Sequence, residues 1–167
     1  MSDQSSPSTV LNKTPLHAEH VAAGGKMVDF AGWHMPLHYG SQIEEHKRVR
    51  ESAGMFDVSH MTVIDVAGEG SADFLRRVVA NNIDKLNAPG RALYGALLNE
   101  QAGVVDDLIV YRRQSGYRLV VNAGTRQKVL DWLAQQQNND TSFKLTERDD
   151  LAILAVQGPE AIAKCTQ

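Results

Sequence analysis

Val104-Val105-Asp106-Asp107-Leu108-Ile109-Val110-Tyr111 is an apolar run interrupted by two adjacent carboxylates, and its reading decides the fold. Six of its eight residues are aliphatic or aromatic, the composition of a strand buried on both sides. A second apolar run, Leu93 to Leu98, precedes it across Asn99-Glu100-Gln101-Ala102-Gly103, a connection whose length and glycine predict a β-hairpin. Tyr117 to Asn122 follows the Gln114-Ser115-Gly116 turn as a third strand. Further out, Met61 to Ala67 alternates as a strand, and Phe143 to Glu147 and Leu151 to Gln157 read as two more.

Helical periodicity fills the intervals. Ser71 to Ala80 places Phe74/Val78 and Leu75/Val79 at i,i+4 spacing. Thr125 to Gln137 turns Val129, Leu130 and Leu133 inward. Ser41 with Glu44 forms a capping-box signature for a helix to about Ala53. Thr14-Pro15 opens a short helix that Gly24-Gly25 stops, with Thr14 as its cap. Lys26 to Phe30 reads as a short strand, Ala31 to Gly40 as loop, and Gly158-Pro159 as the start of a last helix. Hairpins without strict βαβ alternation predict an α+β chain with a mostly antiparallel sheet and packed helices. The pattern breaks off inside that last helix, which predicts a chain truncated relative to a longer protein.

Composition narrows the function classes. The chain has 167 residues and a net charge of -3, so it lacks the excess cations a nucleic-acid binder needs. No apolar run approaches the ~18 residues of a membrane helix. A single cysteine, Cys165, leaves no partner for an internal disulfide and fits a reducing compartment. Residues 1–13 are polar and carry neither a secretory apolar core nor an arginine-rich amphipathic pattern. They read as a disordered leader on a cytoplasmic protein.

The chemistry-bearing motifs differ in force. Strand alternation sets Asp107 with Val105, Ile109 and Tyr111, and Asp106 with Val104, Leu108 and Val110. Either way a carboxylate falls among apolar neighbours, where it must be paired, hydrogen-bonded or protonated. Such a group is a candidate acid or base; the plainer alternative is that the two aspartates cap the mouth of the hairpin. All six histidines lie before residue 61, but His34 and His38 flank Pro36, and no H-E-x-x-H pattern is present, so no metal site is expected. Asp57, Ser59 and His60 are close in sequence without a nucleophile elbow, and adjacent extended residues point apart. Gly24-Gly25, Gly68-Glu69-Gly70 and Gly90 make no phosphate-binding loop.

Five blocks carry a resemblance: Thr14 to His46 (TPLHAEHVAAGGKMVDFAGWHMPLHYGSQIEEH), Gly54 to Met61 (GMFDVSHM), Arg91 to Tyr111 (RALYGALLNEQAGVVDDLIVY), Leu119 to Lys128 (LVVNAGTRQK) and Leu154 to Pro159 (LAVQGP). In order and spacing they resemble the glycine cleavage T-protein family, from residue 14 to the end. The resemblance implies the folate-binding T-protein fold and, for residues 14–167, the first part of a three-domain cloverleaf. It implies an aminomethyltransferase that takes a one-carbon unit from the lipoylated H-protein, passes it to tetrahydrofolate and releases ammonia, with no metal. It makes Asp107 the catalytic carboxylate and Met61, Tyr94, Asp107, Ile109 and Tyr111 the pterin-binding positions. Family residues that hold the folate tail lie downstream of residue 167. Ala102 stands where the family commonly has glycine. The alternatives to weigh against this are a folate-dependent demethylase, a non-catalytic folate-binding module and a histidine-rich zinc module.

Overall fold

The computed structural model describes residues 10–166. In chain order the elements are α1 (His17–Ala22), β1 (Met27–Phe30), β2 (Trp33–Pro36), α2 (Gln42–Glu51), β3 (Gly54–Asp57), β4 (Thr62–Gly68), α3 (Ser71–Val78), β5 (Ala92–Leu98), β6 (Val104–Arg112), β7 (Tyr117–Val121), α4 (Arg126–Gln137), β8 (Phe143–Glu147), β9 (Leu154–Gln157) and α5 (Ala161–Cys165). They divide into two compact units. One spans Met61–Leu151; the other combines the chain up to His60 with the segment from Ala152 onward.

The Met61–Leu151 unit is a five-stranded sheet in the order β5-β6-β7-β4-β8, antiparallel throughout. One face packs on α3 and α4. Phe74, Leu75, Val78, Val129 and Leu133 meet Ile64, Val66, Leu97, Leu108, Val110, Leu119 and Val121, all buried. Phe74 stacks on Phe143 with ring centroids 4.4 Å apart. The i,i+4 pattern of α3 therefore points where it was expected to, except that Val79 leaves the helix and bridges to Leu97.

The β5–β6 hairpin closes as its loop predicts. The Asn99 side-chain oxygen accepts from the Gln101 and Gly103 amides, and Ala102 takes the left-handed conformation (φ 61°) for which glycine is the easier residue. One feature was not foreseen. Leu97 pairs with Asp106 but Leu98 pairs with Val104, so Val105 is an extra residue, a β-bulge. The bulge turns Val105 into the core, off the face that simple alternation shares with Asp107, and Lys128 Nζ donates to its carbonyl at 3.0 Å.

At the β6–β7 turn Gly116 has φ 81°, and a Cβ there would press on the Val66 carbonyl oxygen. Gly116→Ala is expected to destabilise this unit by about 2 kcal/mol or more, combining left-handed strain with the clash; urea denaturation measures it.

The other unit is assembled from sequence-distant pieces. β1 and β2 pair as a hairpin, Met27 opposite Pro36 and Phe30 opposite Trp33, and β3 pairs antiparallel with β9. The stretch 31–40, expected as loop, thus contains a strand. Its turn is Ala31-Gly32, both at positive φ, closed by the Gly32 amide donating to Asp29 Oδ1 at 2.9 Å. Such two-residue turns normally advertise themselves by Asn-Gly or Asp-Gly, and alanine hides this one. α2 begins at Ser41, whose hydroxyl accepts from the Glu44 amide. α1 begins later than expected: Thr14 is buried, and its carbonyl, not its hydroxyl, receives the His17 amide. Of the expected leader, residues 1–9 lie outside the described residues. Asn12, near its end, is tied in, donating to the Gly32 carbonyl and accepting from His34 N. Among the described residues no helix is long and apolar enough to cross a membrane.

Candidate functional site

The sheet face opposite α3 and α4 carries Met61, Tyr94, Asp107, Ile109 and Tyr111. Tyr94 pairs with Ile109, Ile109 with Val120, and Val120 with Val63, forming one row across four strands. One pair further along, Ala96 stands opposite Asp107. Leu108 and Thr62 both pair with Val121, so Asp107, Asn122 and Met61 follow as neighbours in that next row. On the other side Tyr111 pairs with Arg118, and Arg118 with Asp65. Met61, Tyr94, Asp107, Ile109 and Tyr111 therefore share one face within one unit.

Asp107 is exposed, and the expectation of a greasy environment for it is overturned. The buried carboxylate is Asp106, 6% exposed, because past the bulge Asp106, Leu108 and Val110 of β6 face the core. Asp106 is satisfied there: Oδ1 accepts from Asn122 Nδ2 at 2.9 Å, and Oδ2 from the Asn122 amide at 3.1 Å and the Thr125 hydroxyl at 2.7 Å. Asp107 is held at both oxygens. The Tyr94 hydroxyl donates to Oδ2 at 2.7 Å, and Asn122 Nδ2 to Oδ1 at 2.8 Å. The Tyr94 bond, opposed by desolvation and helped by Asn122, lowers the Asp107 pKa. The same bond and the carboxylate charge raise that of Tyr94. Asp107 is thus an anion and Tyr94 a neutral donor at neutral pH. Tyr94, bonded to this carboxylate, is 66% exposed, and Tyr111, four residues along β6 on the same face, is 37% exposed, so both aromatic rings lie on an accessible surface.

Sequence reading missed Asn122 and Thr125. A signal existed: Asn122 directly follows the apolar run Leu119-Val120-Val121, four residues before α4. Without knowing that β7 lies beside β6, nothing connects it to the aspartates.

Further along the same face Asp65 collects three arginines: Arg113 Nη1 at 2.7 Å, Arg118 Nε at 2.7 Å and Arg148 Nη1 at 2.7 Å. Burial would raise the Asp65 pKa, but the hydrogen bonds from Arg118, Arg148 and Arg113 prevail and hold it at about 2. In the other unit, His20 links Tyr39 (Nδ1 to the hydroxyl, 2.5 Å) to Asp57 (Nε2 to Oδ2, 2.8 Å). Asp57 is also held at about 2, with burial outweighed by its hydrogen bonds with Ser59 and His20. Both carboxyls titrate below their ordinary 3.8, so their stabilisation is complete above about pH 4 and is lost as pH falls toward 2. Each is expected to contribute on the order of 2 kcal/mol. Acid titration followed by circular dichroism should show the Asp65→Asn and Asp57→Asn variants with shallower pH dependence over that interval.

The sequence neighbours Asp57, Ser59 and His60 do not form a catalytic group. The Ser59 hydroxyl exchanges bonds with the Ile153 backbone, and Asp57 engages His20 rather than His60. His34 meets His17 at 2.9 Å, and among the described residues no three His, Cys, Asp or Glu side chains converge as metal ligands.

Comparison with known proteins bears on this arrangement. A family model described as the GCVT N-terminal domain matches residues 16–166. The aminomethyltransferase of Pseudomonas syringae pv. tomato is 57% identical over 155 residues, covering 93% of this chain and 43% of that protein. The aminomethyltransferase of Alcanivorax borkumensis is 55% identical over 150 residues, covering 90% and 41%. The crystal structure of glycine cleavage system aminomethyltransferase T from Bartonella henselae matches with a TM-score of 0.85 at 36% identity, over 93% of this chain and 43% of that one. The α+β reading and its mostly antiparallel sheet agree with that structure. The chain spans about two-fifths of the length of the curated relatives it matches.

Proposed function

The chain belongs to the GCVT N-terminal domain family, and from that premise we propose that it forms the first part of a tetrahydrofolate-dependent aminomethyltransferase of the glycine cleavage system. In this reading the whole protein accepts the aminomethyl group from the dihydrolipoyl arm of the H-protein. It transfers the one-carbon unit to tetrahydrofolate and releases ammonia, in the cytoplasm. The observation that carries the proposal is the ionised Asp107 carboxylate held by Tyr94 on an accessible sheet face that also carries Met61, Ile109 and Tyr111.

These residues suit a reduced pterin. An ionised carboxylate offers about four acceptor positions; Tyr94 and Asn122 take one on each oxygen, leaving one on each for the polar edge of the ring. Tyr94, Tyr111, Met61 and Ile109 supply aromatic and soft apolar surface for its faces. Asp107 then favours positive charge on the folate nitrogen that attacks the transferred carbon. Its power comes from preorganised hydrogen bonds rather than from burial, and grows as a bound ligand excludes water. Positioning both reactants supplies the rest.

The test is whether methylene-tetrahydrofolate formation by the full-length protein requires lipoylated H-protein. Strict dependence is expected. Turnover of methylated amines without H-protein would instead place the protein among the folate-dependent demethylases. Calorimetry of this chain with tetrahydrofolate checks the pterin site separately: weak binding, lost in a Tyr94→Ala/Asp107→Ala double variant, is expected.

A further inference from the structure

We infer that Asn122 is a positioning residue, which Asp106 and Thr125 lock into a single orientation so that its carboxamide fixes the Asp107 carboxylate. The inference rests on the reading of Asp107 given above.

Asn122 Nδ2 has two hydrogens and two carboxylates to receive them: Asp106 Oδ1 at 2.9 Å and Asp107 Oδ1 at 2.8 Å. A carboxamide is nearly symmetric in shape, so packing alone does not choose between its two flips. Here chemistry chooses. A flipped Asn122 would set its oxygen against two anionic oxygens, replacing two charge-assisted bonds with two repulsive contacts. Asp106 enforces the choice because it cannot move. It is buried, and the Asn122 amide and the Thr125 hydroxyl pin its other oxygen. The single Thr125 hydroxyl hydrogen goes to Asp106 at 2.7 Å, with the Asn122 carbonyl at 3.2 Å as a second, longer acceptor, so the strand end and the helix that follows meet at one hydroxyl.

The arrangement assigns different work to two adjacent carboxylates. Asp106 faces the core with all its visible donors internal; Asp107 faces outward with acceptor capacity to spare. Asn122 reaches both from the end of β7, while Tyr94 on β5 holds the opposite oxygen of Asp107. The carboxylate on β6 is gripped from both neighbouring strands, so its rotamer is set before any ligand arrives. Preorganisation of this kind costs nothing at the moment of reaction.

Two readouts separate positioning from mere scaffolding. The first is the titration of the Asp107 side-chain carboxyl carbon by NMR in this chain. Removing a donor to the charged form in Asn122→Ala should move its midpoint to higher pH, with the circular dichroism spectrum retained. The second is one-carbon transfer by the full-length protein. Asn122→Ala and Asp106→Asn should each lower kcat about 10- to 100-fold with KM for tetrahydrofolate changed little, and should shift the acid limb of the pH–rate profile upward. Asn122→Ser, which keeps a donor, should recover part of the loss and serves as the comparison if the alanine variant fails to fold. An unmoved Asp107 titration in folded Asn122→Ala protein, or, where that variant does not fold, unchanged Asp107 titration and kcat in Asp106→Asn, would overturn the inference. A moved titration with unchanged transfer would uphold Asn122 as the clamp and remove Asp107 from the reaction.

Discussion

Asp107→Asn is expected to leave this chain folded and to reduce one-carbon transfer by the full-length protein by at least about 100-fold, the scale on which a preorganised electrostatic group counts. Folding should survive because Asp107 is exposed and its substitute keeps the same shape. An amide nitrogen at one terminus can donate to the Tyr94 hydroxyl, and its oxygen can still accept from Asn122. What disappears is the negative charge. A neutral amide leaves positive charge on the attacking nitrogen unbalanced, so kcat should fall far more than binding does. The measurements are the thermal midpoint of the chain, expected within a few degrees of the parent, and methylene-tetrahydrofolate formed per enzyme with lipoylated H-protein supplied. Turnover near the parent rate in the asparagine variant would show that the charge has no part in the chemistry.

The largest loss of stability is expected from Phe74→Ala. Phe74 is fully buried on α3 and stacks on Phe143 of β8, at the edge of the five-stranded sheet. Truncation removes the transfer free energy of a ring and leaves a cavity between helix and sheet that neighbouring strands cannot collapse to fill. A cost of about 3–5 kcal/mol is expected for the Met61–Leu151 unit, a large part of the stability of a unit this size. Urea denaturation should show the midpoint falling sharply with little change in slope. Phe74→Leu, which keeps most of the volume, should recover more than half of the loss. Because the same unit carries Asp107, Tyr94 and Asn122, the alanine variant should also lose tetrahydrofolate binding as it unfolds.

The core of the Met61–Leu151 unit was legible from one dimension. Leu93 to Leu98 and Val104 to Arg112 are apolar runs around a loop with asparagine and glycine, and they form the hairpin they predict. Phe74, Val78, Val129 and Leu133 recur at helical spacing and are buried. The other unit was less legible. Ala31-Gly32 builds a tight turn without the residues that announce one, so β2 was hidden, and β3 finds its partner β9 about a hundred residues later. No local signal reports a pairing across that distance.

What the sequence by itself determined is the type of most strands and helices of the Met61–Leu151 unit and the antiparallel class, because period-two and period-3.6 patterns are local properties of the chain. What only the tertiary structure decided is which carboxylate is buried and which is free. A one-residue bulge at Val105 and the docking of β7 beside β6 set Asp106 inward, left Asp107 accessible, and brought Asn122 between them. Those outcomes depend on register and on neighbours in space. A carboxylate's environment is made by atoms far from it in sequence, and the order of residues alone does not contain it.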